Sequence, residues 1–158
     1  MKTIFRFLIV FMLVAGVFLP MRIASAKETR IDFRGKEWCD PSTLVISREW
    51  WSGSDYHARG VSQTCYDFAT IRQMTGKGYL FNARMDAFDN FTTWKMSGRS
   101  RMVTIEGGEW LSTWILPRGS DTITLIAVGH GKYHGMTMYM FLSFVDSTFY
   151  GYIIGPGE

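Results

Sequence analysis

The feature that most constrains this chain is a hydrophobic pattern with a period of two. Between Thr43 and Ile154, short runs rich in β-branched and aromatic residues are separated by Gly, Asp, Ser, Asn and Pro. Such runs are typical of strands that bury one face and expose the other. The sequence has no long run with the helical period of about 3.6 residues. The pattern therefore predicts an all-β protein of about eight or nine strands.

The alternation is cleanest between residues 79 and 86. Polar Asn, Arg and Asp alternate there with larger or apolar side chains. A strand places every second side chain on the same face. The pattern predicts that the buried face carries Tyr79, Phe81, Ala83 and Met85.

Gly107-Gly108 is the clearest turn signal in the chain. Residues 101–106 and 109–116 flank it with strand-like sequence. Two glycines tolerate the positive φ angles of a tight hairpin turn. We therefore predict a hairpin with a two-residue loop, which would place Ile105 opposite Trp110 as a cross-strand pair.

Consecutive short hairpins favour an up-and-down meander, folded as a single antiparallel β-barrel or sandwich. Closure into a barrel removes the exposed strand edges. This layout resembles a lipocalin-type, or calycin-like, barrel in architecture alone. Because the likeness rests on the order of strands and on no family motif, it implies a fold and no functional residues.

The N-terminal segment has the layout of a secretory signal. Two basic residues precede an uncharged apolar run at 7–19, and Ala24-Ser25-Ala26 supplies the small residues that signal peptidases read. The apolar run is shorter than the roughly 20 residues of a membrane-spanning helix. We predict a cleavable signal peptide at 1–26 and a single mature domain at 27–158, secreted or periplasmic, with no stable membrane span after cleavage.

Cleavage there would also change the charge balance. The whole chain has 17 Lys and Arg against 14 Asp and Glu. Lys2, Arg6 and Arg22 precede residue 27 and no acidic residue does, so the mature part has 14 of each sign. Binding to a phosphate backbone depends on a basic excess. The sequence therefore argues against a nucleic-acid partner.

Both cysteines, Cys39 and Cys65, lie in the part predicted to be exported. In an oxidising compartment an even number of cysteines favours a disulfide over free thiols. Neither cysteine has a Cys-x-x-Cys partner that would suggest redox chemistry. We predict a Cys39–Cys65 bridge closing a loop of about 27 residues, worth about 3–4 kcal/mol on the chain-entropy model.

Methionine and aromatic residues provide the first functional hypothesis, a small apolar ligand inside the barrel. Apolar side chains recur at every second position from Met136 to Phe144. Methionine adapts to irregular apolar surfaces, and barrel interiors can hold ligands. The alternative is ordinary core packing. The residues predicted to line a ligand are Phe81, Met85, Trp110, Met138, Met140 and Phe144.

The second hypothesis is a protein partner on the rim of the barrel. Trp50 and Trp51 are consecutive, so on a strand one of them must face away from the other. Exposed tryptophan and tyrosine are enriched at interface hot spots. We therefore predict partner contacts at Trp51 and Tyr56, made with a secreted or periplasmic protein of the kind that an inhibitor or immunity-type protein binds. The alternative is that Trp51 packs under a loop.

Motifs for catalysis are weak. The sequence has no Gly-x-Ser-x-Gly elbow and no Walker motif, and its Gly129/Gly131/Gly135 spacing does not match a dinucleotide loop. A non-enzymatic role, with no catalytic residue, metal or cofactor, is therefore the first expectation. The alternative is a small secreted hydrolase or metal-dependent enzyme that uses His57, His130 and His134.

Overall fold

The computed structural model describes residues 28–156, so the predicted signal peptide at 1–26 lies outside the described residues. Nine strands follow one another along the chain. They are β1 (Thr29–Cys39), β2 (Val45–Ser52), β3 (Asp55–Ala69), β4 (Gly76–Phe88), β5 (Thr93–Thr104), β6 (Glu109–Leu116), β7 (Thr122–His130), β8 (Thr137–Ser143) and β9 (Thr148–Gly155). Single-turn 3-10 helices occur at Pro41–Thr43, Arg72–Met74 and Gly131–Tyr133. Within residues 28–156 there is no helix of the length and hydrophobicity that crossing a membrane would require.

The strands form one antiparallel sheet that closes in a ring. Each strand from β2 to β9 pairs with the next, β9 pairs with β1, and β1 pairs with β3. Eight strands therefore make the ring, and β2 is added along the edge of β3. The prediction of an antiparallel all-β barrel or sandwich is confirmed.

Strands β1 and β2 lie end to end along one edge of β3. Cys39 of β1 is opposite Cys65, and Val45 of β2 is opposite Ser62. The chain therefore leaves the ring after β1 and pairs with β3 again a few residues later. The predicted disulfide is present, since Cys39 and Cys65 are bonded across the β1–β3 seam that closes the ring.

The two ends of the ring differ. We call the end that carries the turns at 69–76, 104–109 and 130–137 the closed end, because Tyr133 covers it. The Tyr133 ring stacks on Trp110 with centroids 5.0 Å apart, and its hydroxyl is 2.8 Å from the Thr104 hydroxyl. The Trp110 indole N–H donates to the Gln73 carbonyl at 2.8 Å. We call the opposite end, with the turns at 52–55, 88–93, 116–122 and 143–148, the open end.

A β-bulge alters the predicted alternation in β4. The β4–β5 register shifts between Phe81 and Arg84, and Asn82 has a φ of +53°. An extra residue in one strand reverses which side chains face inward. Leu80 and Ala83 therefore belong to the interior while Tyr79 is exposed, so the expectation that Tyr79 and Ala83 share a face is wrong.

The predicted hairpin at Gly107-Gly108 exists, but its register differs. Met102, and not Ile105, lies opposite Trp110, and the Thr104 N–H donates to the Gly108 carbonyl. The turn therefore spans four residues. Ile105 is exposed, and its backbone N–H donates to the Thr75 carbonyl in the neighbouring turn. A contact distant in sequence, which local turn propensity does not report, sets this register.

Candidate ligand-binding cavity

A cavity of about 320 Å³ lies inside the ring, on the side of the open end. Gly78 in β4 contributes no side chain to the wall, which leaves this space. Most of the other lining is apolar and comes from β4 to β8. These side chains include Leu80, Met85, Met96, Ile123, Leu125, Met140 and Leu142.

The cavity reaches solvent where β2 leaves the line of β1. Leu44, just before β2, and Phe144 and Ser147, in the β8–β9 turn, line both the cavity and its mouth. Leu44 and Phe144 are exposed. The Glu37 N–H donates to the Ser147 carbonyl at 2.9 Å, which fixes this turn against the end of β1. A small molecule could therefore enter between Leu44 and the β8–β9 turn.

Two carboxyl groups belong to the lining of the cavity, together with uncharged polar side chains such as Gln63 and Ser143. Glu37 in β1 and Asp67 in β3 are directly opposite each other across the ring-closing seam, two positions from the disulfide. Asp67 is 6% exposed, and its Oδ1 has no hydrogen-bond partner among residues 28–156. An ionised carboxylate is an acceptor only, so in that form this atom lacks a donor that a ligand could supply.

Burial makes both acids hard to ionise. Desolvation raises the pKa of Glu37 to about 7. Desolvation also raises the pKa of Asp67 well above its ordinary value, and the nearby Glu37 charge adds to the effect. Among the residues that the structure describes, the cavity is lined by no Lys, Arg or His. The two acids thus have no basic counterpart in the cavity.

The opposite wall of the cavity carries an unpartnered donor. Trp114 in β6 lines the cavity and is buried, and its indole Nε1–H has no hydrogen-bond partner in the described part of the chain. In an eight-strand ring, β6 is four strands away from β1 in either direction, so Trp114 and Glu37 belong to opposite sides of the ring. By contrast, the Ser100 and Ser112 hydroxyls on β5 and β6 bond to each other.

The structure separates the six residues predicted to line a ligand. Met85, Met140 and Phe144 line the cavity. Trp110 and Met138 are 1% and 2% exposed, lie in the core, and are absent from the cavity wall. Phe81 lies at the β4 bulge and does not line the cavity either.

Sequence reasoning missed Glu37, Asp67 and Trp114. Residues 27–42 read as polar and irregular, although they contain β1. A usable signal was present, because Glu37 and Cys39 share a strand face, as do Cys65 and Asp67. If the disulfide faces inward, both acids must do so as well.

An aromatic cluster extends across the open end, and we call its members the rim aromatics. Trp51, on the β2–β3 hairpin, has its ring centroid 5.3 Å from Tyr56 and 5.5 Å from Phe91. The cluster continues from Phe91 to Trp94 at 5.4 Å, and from Trp94 to Phe144 at 5.9 Å. Trp51 is 56% exposed and does not pack under a loop.

Hydrogen bonds hold the exposed rim in place. Asp89, Asn90 and Phe91 have positive φ values, a costly backbone for residues other than glycine, and this turn is tied to the β2–β3 hairpin. The Asp89 N–H donates to Asp55 Oδ1 at 3.0 Å, and the Asn90 N–H donates to the Ser54 carbonyl at 3.1 Å. The Tyr56 hydroxyl donates to the Glu49 carboxylate, which raises the pKa of Tyr56 to about 12. The structure thus brings together Trp51 and Tyr56, the two residues predicted to contact a partner.

The three histidines are not brought together. His57 lies on the outer face near the open end, whereas His130 and His134 flank the 3-10 turn at the closed end. In the part of the chain that the structure describes, one group of three or more candidate ligand side chains has its ligand atoms within 4.8 Å of one another. That group is Glu37, Cys39 and Cys65, and the disulfide occupies both of its sulfur atoms.

His57 has an oriented carboxylate partner. Its Nδ1 is 2.7 Å from Asp86 Oδ1, and its ring stacks on Trp50 at 5.0 Å. Burial raises the pKa of Asp86, but hydrogen bonds from His57 and Arg59 outweigh it and hold the pKa below its ordinary value. Within residues 28–156 no hydroxyl or thiol is hydrogen-bonded to His57. The His57–Asp86 pair therefore links β3 to β4 on the outer face of the sheet. Among the described residues it has no hydrogen-bonded nucleophile, which covalent catalysis would require.

Comparison of this chain with protein-family models, with curated proteins and with solved structures finds no match.

Proposed function

We propose that this protein is an exported, non-enzymatic binding protein that holds a small, largely apolar ligand inside the barrel. The observation that carries the proposal is the cavity of about 320 Å³, which lies inside a ring covered by Tyr133 at one end and reaches solvent towards the other. Ligand sites are typically concave, mostly apolar, roughly 300–1,000 Å³ in volume, and supplied with a few polar groups. The unpartnered Asp67 and Trp114 atoms are such groups.

Export is supported by two features of different kinds. The sequence before residue 27 has the order of basic, apolar and small residues of a secretory signal. The Cys39–Cys65 disulfide is typical of proteins that fold in an oxidising compartment. Both features are consistent with a secreted or periplasmic location.

Filling the cavity tests the proposal. A Cβ at Gly78 would be 3.6 Å from the Cys65 carbonyl and 3.9 Å from Asp67 Oδ2, which are ordinary contacts. We expect Gly78→Val to fold and to place its methyl groups in the cavity. Isothermal titration calorimetry with 1-octanol should show binding to the wild type, and binding to the variant about tenfold weaker or more.

The matched control is Thr113→Val, which also introduces a valine, but at an exposed position on β6. This variant should bind 1-octanol as the wild type does. The proposal is contradicted if the wild type takes up no 1-octanol, or if Gly78→Val binds it as well as the wild type.

The rim aromatics favour a second function, binding of a secreted or periplasmic protein at the open end. Aromatic side chains exposed in a rigid cluster are typical of interface hot spots. A pull-down from the exported fraction should retain a partner on the wild type and on Ile115→Ala, which changes an exposed apolar residue on β6. The same partner should be lost on Trp51→Ala. Equal retention by Trp51→Ala would count against this site.

A further inference from the structure

We infer that the ligand of the cavity carries a protonated amine, bound by Glu37 and Asp67 while the apolar body of the ligand lies against the methionine-rich wall. This inference rests on the proposed binding function and specifies its ligand class. Four observations support it.

The first observation is the sign of the charged residues that line the cavity. Glu37 and Asp67 are the two acidic residues of its lining, and no basic residue in the described part of the chain lines it. Two adjacent carboxyl groups, Asp67 buried and Glu37 half-buried, repel each other when both ionise, and a cation between them removes that penalty. An anionic ligand would add to the repulsion, so the cavity selects against carboxylates and phosphates.

The second observation is the missing donor at Asp67. Its Oδ1 is buried and has no partner among the residues that the structure describes, although buried polar atoms nearly always have one. An ammonium group offers three N–H donors and no acceptor, which complements acceptor-only carboxylates. One ammonium can therefore bond to both acids at once.

The third observation is the opposing wall. Trp114 Nε1–H is unpartnered and lies across the ring from the acids. An indole N–H is a donor only. The ligand can therefore carry an oxygen acceptor at the end away from its amine, although binding of the amine does not require one.

The fourth observation is the adaptable apolar surface between these groups. Met85, Met96 and Met140 contribute flexible, polarisable side chains to the lining. Methionine surfaces accommodate apolar groups of varied shape. The lining thus suits the chain or ring of a small monoamine and selects the charge of the ligand more strictly than its shape.

The test compares three ligands that share one apolar chain, n-octylamine, 1-octanol and octanoate. Isothermal titration calorimetry at pH 7.5 uses the intact, disulfide-bonded protein. A charge-assisted hydrogen bond to a buried carboxylate is worth about 1.5–3 kcal/mol. We therefore expect octylamine to bind about 10- to 100-fold more tightly than octanol. Octanoate should bind most weakly.

The double variant Glu37→Gln/Asp67→Asn locates the effect. It keeps the shape of both side chains, so octanol should bind as to the wild type, while the advantage of octylamine falls to within about threefold. Asp121→Asn, an exposed acid near the open end and outside the cavity lining, is the control and should keep the full advantage. If the double variant does not fold, the ratio of octylamine to octanol affinity on the wild type decides the question.

The outcomes separate the two proposals. Equal binding of octylamine and octanol to the wild type, or tighter binding of octanoate, overturns the amine inference and leaves the binding function standing. Undiminished amine preference in the folded double variant also overturns it. Failure of all three ligands to bind overturns the proposed function itself.

Discussion

The half-buried acid Glu37 should make the stability of this protein fall as the pH rises. Its pKa in the folded state is about 7, against 4.5 for an ordinary glutamate, because burial penalises the charged form. Between these two values the folded protein holds a proton that the unfolded chain has released. By linkage, the free energy of unfolding then decreases with pH, and the loss is complete above about pH 7.

The magnitude follows from the shift. A displacement of about 2.5 pKa units at about 1.36 kcal/mol each gives about 3 kcal/mol. The charges of Glu37 and Asp67 repel each other, so this free-energy cost of ionisation belongs to the two acids together. Glu37→Gln removes the ionisable group while keeping its shape. We therefore expect the variant to equal the wild type near pH 4 and to be more stable by up to about 3 kcal/mol at pH 8.

Urea unfolding at intervals from pH 4 to pH 8.5, with the disulfide intact, measures this difference. Glu28→Gln makes the same chemical change at an exposed position and should follow the wild-type curve. A difference between Glu37→Gln and the wild type that does not vary with pH would refute the reasoning. So would a variant that becomes less stable than the wild type as the pH rises.

Two further predictions concern packing and closure of the ring. Gly98→Ala should lower the free energy of unfolding by about 1–3 kcal/mol, because the added Cβ would be 2.6 Å from Trp114 Cζ2. Thermal unfolding should show a clearly lower midpoint for Gly98→Ala and little change for the control, Gly78→Ala. Replacing Cys39 and Cys65 by alanine should cost about 3–4 kcal/mol in urea unfolding, and an unchanged midpoint would mean that the β1–β3 seam does not depend on the bond.

The sequence alone predicts the strands well, because a period of two is a local property. The all-β class, the antiparallel meander and the pairing of Cys39 with Cys65 all follow from alternation, turns and cysteine count. The bulge at Asn82 could not be predicted this way, since one extra residue reverses the facing of a strand without changing its composition. Strict alternation without the bulge places Tyr79 on the same face as Ala83, whereas in the structure Tyr79 is exposed and Ala83 is buried.

Ring closure and the cavity depend on contacts far apart in sequence. The β1–β3 seam joins residues 35–39 to residues 65–69, and it alone places Glu37 beside Asp67. In the sequence, these two acids differ from the other acidic residues only in lying two positions from a cysteine. Trp110 was expected to line a ligand because it is large and apolar, yet the position of Tyr133 at the closed end makes it core.

The most direct test of a ligand inside the barrel is NMR of the methionine methyl groups in protein labelled with [methyl-¹³C]methionine, titrated with n-octylamine. Met85, Met96 and Met140 line the cavity, whereas Met74 and Met138 are buried in the core away from it. We expect saturable changes in chemical shift at the three lining methyl groups and unchanged signals from the two core methyl groups. Shifts confined to the core methionines, or no shift at the lining ones, would contradict it.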